Sequence, residues 1–441
     1  MTVVQLHGKQ GGRGPATSGR KIIAALDIGS TKITCLIGEK VAPKHRMANA
    51  EDKSAIKILG VGYQASRGVK AGCIVDVDAA ERAIRCAVDA AERMSQQNIS
   101  SVFVNVSGGR PESECVTGAT TLRSGQVMPR DMDDAIANAI VACNPGRRTI
   151  LHLAPAQYHL DDARGIATPT GMHGENLSVD LGVVTVEGAH LRNLALAVER
   201  AHLAIDGFVI APYAAGKAVL AEDEIELGAI FIEMGGQTTG LSIFHGGHLL
   251  HAEMLPVGGQ HITNDIARGL STSVAHAERM KTLWGSALAS SIDDREMLAV
   301  PLVGERGVDT VHQVPKSMLT GIIRPRVEEI FEMLRDRLGR CRFTPLAGRR
   351  VVLSGGASQL NGIREIASQW LDRQIRMGAP VPVSGMPESA KSAAFSVAFG
   401  LAAYGLSPDH HYAMPRQAAE AMRDAQQGYC RRVGRWIADS F

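Results

Sequence analysis

The stretch Lys21–Gly38 reads KIIAALDIGSTKITCLIG: an apolar run, a turn rich in glycine and hydroxyl groups, and a second apolar run. The same order recurs over Gly228–Gly246, GAIFIEMGGQTTGLSIFHG. We call Asp27–Lys32 the first glycine turn and Glu233–Thr239 the second glycine turn. Short apolar runs bounded by turn residues predict a pair of strands at each place. The recurrence predicts a duplicated fold whose two halves grip one ligand from both sides.

The residue types of both turns indicate a nucleotide phosphate as that ligand. Glycine lets backbone amides approach an anion closely, and such amides together with hydroxyls form a cradle for phosphate. A carboxylate ends each first strand, Asp27 and Glu233, and is placed to hold a hydrated Mg²⁺ ion. The predicted nucleotide-binding residues of the two turns are Asp27, Gly29, Ser30, Thr31, Lys32, Glu233, Gly235, Gly236, Gln237 and Thr238.

A third segment, Arg349–Gly362, reads RRVVLSGGASQLNG and predicts a buried strand that ends at a glycine pair before a helix start. We call Gly355–Ser358 the third glycine turn. Glycine at this place allows the close backbone contact that a flat base or a ribose needs. The sequence therefore predicts nucleoside contacts at Gly355, Gly356 and Ser358.

In this order the three turns resemble those of the actin/Hsp70/sugar-kinase superfamily. From about Lys21 onward the chain resembles the FtsA family of bacterial cell-division proteins. That likeness rests on Gly60-Val61-Gly62 with Ser66-Arg67-Gly68, on Gly165–Gly174, on Ala277–Lys281 and on the terminal amphipathic segment. The resemblance implies ATP and Mg²⁺ as cofactors. It also implies an actin-like α/β fold of two lobes, each a mixed sheet flanked by helices, with an inserted small α+β subdomain and a C-terminal amphipathic helix.

The predicted domain organisation follows the resemblance and the chain pattern. The segments are a flexible N-terminal tail (1–20), a first lobe (21–100 and 179–206), an inserted subdomain (101–178), a second-lobe core (207–256 and 339–406), a small second-lobe subdomain (257–338), a linker (407–427) and a membrane-targeting helix (428–441). The resemblance implies that the inserted subdomain mediates self-interaction in a homopolymer. A lid without a partner is the alternative.

Composition limits the classes of function. The 441 residues carry a formal net charge of +2, so no general affinity for nucleic acid is expected. The 7 cysteines are scattered without a Cys-x-x-Cys pair, which fits thiols in a reducing cytoplasm. No apolar run approaches the length of about 20 residues that a membrane span needs, and no signal peptide is expected.

The resemblance makes Phe208–Leu220 an interdomain crossing helix, paired with a second one at Ala393–Tyr404, and small residues in both let them pack closely. General-base catalysis needs a titratable group near the nucleophile, and Ala211, Pro212 and Tyr213 supply none. We therefore expect at most slow ATP hydrolysis. Glu233 and Gln237 depart from the usual aspartate and small residue, which adds to that expectation. A sugar or acetate-type kinase, the first alternative, would need a carboxylate base here.

Two further assignments come from the resemblance. Glu278 and Lys281, three residues apart, would contact the ribose and base, with a plain surface ion pair as the alternative.

Lys316–Leu338 has helical periodicity, and Pro325 is expected at a helix start within it. In the family this region receives the C-terminal peptide of FtsZ, and Arg326 matches a position tied to that contact. The hairpin of the second copy contains three histidines, His245, His248 and His251. A zinc site is one interpretation of this spacing. We favour the other, that these side chains face solvent.

The last segment, Gly428–Phe441, reads GYCRRVGRWIADSF and predicts a short amphipathic helix. Its apolar face holds Tyr429, Val433, Trp436, Ile437 and Phe441, and its basic face holds Arg431, Arg432 and Arg435. Such a helix favours a membrane surface with anionic lipid. Docking on the protein's own core is the alternative. Because one short helix binds weakly, stable attachment needs several copies, as in a filament.

The resemblance implies an actin-like ATP-binding protein on the cytoplasmic face of the bacterial inner membrane, at the division site. It would polymerise there, tether FtsZ filaments and recruit later divisome proteins. The second alternative, a pilus-assembly scaffold related to this family, should lack the terminal arginine and tryptophan helix.

Overall fold

The computed structural model describes residues 22–41, 56–143, 145–146, 148–304 and 311–406. The predicted N-terminal tail, the linker 407–427 and the helix 428–441 lie outside these residues. Within the described ranges, no helix is both long enough and apolar enough to cross a bilayer.

The strands in chain order are β1 (Ile22–Ile28), β2 (Lys32–Lys40), β3 (Ile56–Ala65), β4 (Val69–Lys70), β5 (Cys73–Ile74), β6 (Ser101–Val106), β7 (Glu112–Thr121), β8 (Arg148–Leu160), β9 (Ala163–Ile166), β10 (Asn176–Glu187), β11 (Ala204–Ile210), β12 (Ala229–Met234), β13 (Thr239–His245), β14 (His248–Leu255), β15 (Met297–Pro301), β16 (Val311–Pro315), β17 (Arg350–Ser354) and β18 (Gln374–Met377). The α-helices are α1 (Val77–Ser95), α2 (Pro129–Cys143), α3 (Gly188–Arg200), α4 (Ala211–Val219), α5 (Glu222–Leu227), α6 (Gly259–Gly269), α7 (Val274–Trp284), α8 (Lys316–Arg340), α9 (Ile363–Leu371) and α10 (Ser396–Leu406).

Two five-stranded sheets share one topology. The first-lobe sheet has the order β11-β6-β1-β2-β3, and the second-lobe sheet has the order β18-β17-β12-β13-β14. In each sheet the two strands of the central hairpin, β1 with β2 or β12 with β13, pair antiparallel. The first strand of each hairpin pairs in parallel with its other neighbour, β6 or β17. The duplication predicted from the recurring sequence is therefore confirmed at the level of strand order.

Both faces of the first-lobe sheet are covered, which explains the unbroken apolar runs of its strands. Ala24, Leu26 and Ile28 pack into one core with α1 and α3. The alternate residues Ile23 and Ala25 pack into a second core with α4 and α10. This second core also takes side chains from the second-lobe sheet, so it lies between the two lobes.

Helices α4 and α10 are the predicted crossing pair, and they touch through small residues. A Cβ atom on Gly400 would lie 1.6 Å from the backbone oxygen of Ala214. Only glycine permits this approach. Helix α10 also packs on β1, β2 and β6, so it contacts the first-lobe sheet although it follows the second lobe in the chain.

The chain leaves the first lobe after β6 and returns to it before α3. Between these points it forms a third, antiparallel sheet with the order β7-β10-β8-β9. We call it the inserted sheet. One face packs on α2. The other approaches the edge strand β14, where Ser113 Oγ donates to the oxygen of Ala252 (2.7 Å) and accepts from its nitrogen (2.8 Å). The two chain connections meet at the base of the insertion, where the Glu187 N–H donates to Gly109 O (3.0 Å).

Helix α8 corrects one expectation. It runs without a break from Lys316 to Arg340, so Pro325 lies inside the helix and not at a helix start. The helix continues because its buried face, which includes Ile323, Val327 and Phe331, stays packed on both sides of the proline. Pro325 is exposed, so the carbonyl of Gly321 that lacks its usual donor faces the solvent side.

Candidate functional site

The first glycine turn closes the β1–β2 hairpin. Ile28 and Ile33 form the last strand pair, and the Gly29 N–H donates to Lys32 O (3.0 Å). A Cβ atom on Gly29 would lie 2.8 Å from that same oxygen, so the turn requires glycine. The buried side chain of Asn105, on β6, accepts from the Ile28 N–H (2.6 Å) and anchors the turn to the neighbouring strand.

The second glycine turn is built in the same way. Met234 and Thr239 form the last pair of β12 and β13, and the Gly235 N–H donates to Thr238 O (2.9 Å). The start of α6 supports this turn, because the Gly259 N–H donates to Gly235 O (3.0 Å) and the Gln260 N–H to Gly236 O (2.6 Å). The two turns predicted from one sequence pattern thus contain the same kind of backbone hydrogen bond, from a glycine N–H to the carbonyl three residues later.

The two turns touch each other across the cleft between the lobes. A Cβ atom on Gly236 would lie 2.3 Å from Cγ2 of Thr31. The structure therefore brings the two predicted phosphate-binding segments into contact, although they lie far apart in the chain.

Two buried carboxylates stand at this contact, because Asp27 and Glu233 are each the second-last residue of their strand, β1 and β12. Each is 8% exposed. Burial raises the pKa of Asp27 to about 6, against the opposing effect of the Lys32 ammonium. Burial raises the pKa of Glu233 to about 8, and the charge of Asp27 adds to that rise. Two buried carboxylates that repel each other suit a bound cation.

In the described ranges, no three histidine, cysteine, aspartate or glutamate side chains converge as a metal site. A Mg²⁺ ion that Asp27 and Glu233 hold through water would therefore take its direct oxygen ligands from water and phosphate, as this ion commonly does. The donor set fits that ion.

Lys32 reaches across to the segment before α10. Its Nζ donates to Ala394 O (2.9 Å) and lies 3.2 Å from the ring centroid of Phe395. Burial lowers the pKa of Lys32 to about 8, although the charge of Asp27 raises it. Sequence reasoning missed Ala394 and Phe395, because no local pattern marks a contact so distant in the chain.

Ser30 and Gln237 hold a third element, the β4–β5 hairpin. The Gly72 N–H donates to Ser30 Oγ (3.0 Å), and the Ala71 N–H donates to Gln237 Oε1 (2.8 Å). We call Ala71–Gly72 the hairpin tip. Sequence reasoning missed this tip, and the short glycine-bearing stretch after Ser66-Arg67-Gly68 was the available signal.

The third glycine turn lies against the second. A Cβ atom on Gly355, whose φ is 91°, would lie 2.5 Å from Met234 O, so this glycine permits a close backbone approach. Ser358 is 2% exposed, and its hydroxyl donates to Gly355 O (2.8 Å). Its hydroxyl thus braces the turn. Gly356 faces Ala394, whose Cβ would lie 3.5 Å from a Cβ on this glycine.

Lys281 and Glu278 join the same neighbourhood from α7. Lys281 Nζ donates to Gly259 O (3.0 Å), Thr263 Oγ1 (2.8 Å) and Glu278 Oε2 (2.8 Å). The ion pair that the alternative reading expects is therefore present. The pair also adjoins the third glycine turn, because Gly259 lies against Ala357.

Arg326 lies on α8, where carboxylates surround its guanidinium. Its Nε donates to Asp265 Oδ2 (2.6 Å) and its Nη2 to Asp265 Oδ1 (3.3 Å), and Nη1 donates to Glu329. The predicted membrane residues, from Tyr429 to Phe441, lie outside the described residues.

The histidines of the β13–β14 hairpin correct a second expectation. His251 is only 5% exposed and is not solvent-facing, and its Nε2 lies 3.1 Å from Glu253 Oε1. Burial lowers the pKa of His251, but its interactions with Cys341 and Glu253 outweigh burial and raise it to about 9. The hairpin twists at a register shift after Ile243, so strict alternation from the turn misassigns this side chain.

Solved structures share the fold at low sequence identity. The PilM–PilN type IV pilus biogenesis complex aligns with a TM-score of 0.60 at 18% identity, over 87% of this chain and 98% of that chain. MreB5 of Spiroplasma citri bound to ADP aligns with a TM-score of 0.51 at 12% identity, over 88% of this chain and 97% of that chain. Two lobes of equal strand order, joined by crossing helices and facing each other through paired glycine turns, define an actin-like protein.

A relative from Agrobacterium fabrum, cell division protein FtsA, is 43% identical over 429 residues, which cover 97% of each chain. The chain belongs to the FtsA family of cell division proteins. Residues 230–400 match the family model "Cell division protein FtsA", and residues 108–185 match "SHS2 domain inserted in FTSA". The FtsA of Rhizobium meliloti is 44% identical over 95% of each chain. That of Escherichia coli is 28% identical over 96% of this chain and 99% of its own.

Proposed function

We propose that the cleft between the first and second glycine turns binds ATP with Mg²⁺. The observation that carries the proposal is the contact between the two turns beside two buried carboxylates. Asp27 and Glu233 would hold the ion through water. Gly29, Ser30, Thr31, Lys32, Gly235, Gly236, Gln237 and Thr238 would surround the phosphates. Bound nucleotide would supply charge and hydrogen-bond acceptors that join the two lobes.

The nucleoside would lie at the third glycine turn. Gly355 lets the turn lie against Met234, and Gly356, where an added Cβ would meet only Ala394 Cβ at 3.5 Å, would leave room for a flat ring. Ser358 braces the backbone of this turn. Glu278 and Lys281 lie next to this turn through Gly259 and could reach a ribose after giving up part of their own ion pair. The Glu278 side chain is 49% exposed and that of Lys281 only 15%, so Glu278 is the partner that would move at little cost.

We further propose that this nucleotide site favours the closed arrangement of the lobes, as a population shift and not as a catalytic cycle. Tyr213 is the one titratable residue among Ala211, Pro212 and Tyr213 at the start of α4, and burial raises its pKa to about 12. Such a group is a poor general base at neutral pH. Hydrolysis would accordingly be slow at most.

The family suggests the cellular role. We propose that the protein polymerises at the cytoplasmic face of the inner membrane, at the division site, tethers FtsZ filaments there and recruits later divisome proteins. The inserted subdomain would mediate contacts between copies. Arg326 would take part in binding the FtsZ C-terminal peptide, whose carboxylates would compete with Asp265 and Glu329 for its guanidinium.

Calorimetric titration with Mg-ATP tests the nucleotide site. We expect Gly236→Val to weaken binding at least about tenfold, because a β-branched side chain must push Thr31 away and separate the two turns. Gly321→Ala is the matched control, since no atom lies within 4 Å of its added Cβ. A wild-type chain that binds no Mg-ATP, or a Gly236→Val chain that binds as well as wild type, would contradict the proposed site.

Co-sedimentation with vesicles tests the membrane role. Vesicles of phosphatidylglycerol and phosphatidylethanolamine are mixed with the whole chain or with a chain that ends at Gln427, each with and without Mg-ATP. We expect pelleting that requires both the tail and ATP, because several weakly binding tails must act together. Equal pelleting of the two chains would overturn the membrane tether.

A further inference from the structure

We propose that Gln237 is a positioning residue with two roles: its carbonyl fastens the second lobe to the hairpin tip of the first lobe, and its amide group is thereby turned toward the phosphates. The second role rests on the proposed nucleotide site, whereas the first does not.

The chemistry of the contact fixes the orientation of the side chain. A backbone N–H can only donate, so the atom that meets the Ala71 N–H at 2.8 Å must be the carbonyl oxygen of Gln237. The two donors of Nε2 then point away from the hairpin tip. Gln237 belongs to the second glycine turn, and the second role assigns these donors to the side where that turn would meet phosphate oxygens.

Ser30 makes the corresponding contact from the first lobe. Its Oγ accepts from the Gly72 N–H (3.0 Å), so its hydroxyl hydrogen stays available for another acceptor. One side chain from each glycine turn therefore caps one amide of the hairpin tip. The first glycine turn and the tip both belong to the first lobe, so Gln237 alone makes this a link between lobes.

The hairpin tip has a defined shape that presents both amides. Ala71 (φ 46°) and Gly72 (φ 74°) both have positive φ, as in the two-residue turns that suit a β-hairpin. This conformation is unfavourable for alanine. A Cβ atom on Gly72 would lie 2.4 Å from the backbone carbon of Ser107, so the tip packs tightly on the loop after β6.

The link makes two separable predictions. Without nucleotide, the Gln237 carbonyl should protect the hairpin tip from hydrogen exchange, because Ala71 would otherwise donate to water. With Mg-ATP, the Gln237 amide should add affinity. Glutamate at this position can accept from the Ala71 N–H, but it offers no donor to phosphate and adds a negative charge. Alanine can neither accept from Ala71 nor donate to phosphate.

The experiment compares Gln237→Ala, Gln237→Glu and the exposed control Gln313→Ala with wild type. Hydrogen exchange of the segment 69–74 is followed by mass spectrometry in nucleotide-free protein, and Mg-ATP affinity is measured by calorimetry. We expect Gln237→Ala to speed exchange at the tip at least tenfold and Gln237→Glu to leave it protected. Both should weaken Mg-ATP binding at least about tenfold, and Gln313→Ala should match wild type in both assays.

Each outcome decides one role. Unchanged exchange in Gln237→Ala would overturn the link between lobes. Wild-type affinity in Gln237→Glu would overturn the amide's role toward phosphate. If the wild-type chain binds no Mg-ATP, the proposed function and the amide's role both fail, while the exchange measurement still decides the link.

Discussion

Asp180 illustrates how a few side chains fix one charge on the inserted sheet. Thr117 Oγ1 donates to its carboxylate at 2.6 Å and Gln157 Nε2 at 3.1 Å, and His159 Nε2 lies 3.2 Å away. Burial alone would raise the pKa of Asp180, but these three hydrogen bonds outweigh burial and lower it. The charged form is therefore favoured by folding.

We expect Asp180→Asn to lower the free energy of unfolding by about 1–3 kcal/mol at pH 7, because hydrogen bonds to a charged group are lost. Since folding lowers the pKa of Asp180, its stabilisation is fully present above the pKa of unfolded aspartate and is lost as the pH falls through the folded pKa. Urea unfolding of both chains at stepwise lower pH should show their difference shrinking.

The exposed residue Asp162, in the turn between β8 and β9, supplies the control. Asp162→Asn should stay within about 0.5 kcal/mol of wild type. A penalty for Asp180→Asn that stays constant from pH 7 to the lowest pH at which both chains fold would refute the electrostatic argument.

At this scale the sequence predicts residue types better than their partners. The glycines and carboxylates of both turns are recognisable, because the required backbone conformation and the ion chemistry leave few choices of residue. The contacts of Lys32 with Ala394 and of Gln237 with Ala71 are not, because they join segments whose approach depends on the whole fold.

Helix α8 is the element in which local preference and tertiary packing disagree. An internal proline removes a backbone donor and costs a helix about 3 kcal/mol. The sequence thus predicts a helix start at Pro325, whereas the buried face of α8 on both sides of it holds one continuous helix. The helical periodicity of the sequence predicts that buried face correctly, and only the helix start placed at Pro325 is wrong.

We expect Pro325→Ala to raise the free energy of unfolding by about 1–3 kcal/mol, because alanine restores a donor for Gly321 O and removes the ring's clash. Thermal and urea unfolding measure the change. Met318→Ala is the control on the exposed face of the same helix, since it changes no backbone donor. A Pro325→Ala chain that is less stable than wild type would indicate that the proline ring makes contacts worth more than the hydrogen bond.

Other elements were predictable in place but not in extent. A strand is expected at Thr149–Leu153, and the structure extends it as β8 from Arg148 to Leu160. The added residues alternate between the face on α2 and the polar face near Asp180, and Pro155 interrupts the local pattern. The register shift beside Asp180 accommodates the proline, which strand patterns alone do not predict.

At the scale of the whole molecule, the two lobes share a core at the crossing of α4 and α10. This core includes side chains from both large sheets. The recurring sequence predicts two lobes, and the family resemblance predicts the crossing helices, whose small residues allow close packing. That α10 also rests on the first-lobe sheet is a consequence of three-dimensional packing that chain order does not reveal.

We expect Gly400→Ala to destabilise the protein by about 3 kcal/mol, because its Cβ would lie 1.6 Å from Ala214 O and the two helices must move apart. Gly339→Ala is the matched control, a glycine in α8 with no atom within 4 Å of the added Cβ. That change should be neutral or stabilising by up to about 1 kcal/mol. Differential scanning calorimetry measures both, and equal melting temperatures for the two variants would refute the tight crossing.

The chain leaves and re-enters the first lobe at one hydrogen bond, between Gly109 and Glu187. A segment closed at its base can be lengthened, shortened or replaced during evolution without removing a strand from the first-lobe sheet. The exception is the base itself, because His152 Nε2 accepts from the buried Ile210 N–H (3.0 Å). Chimeric chains that exchange the inserted sheet with a relative's should therefore keep His152.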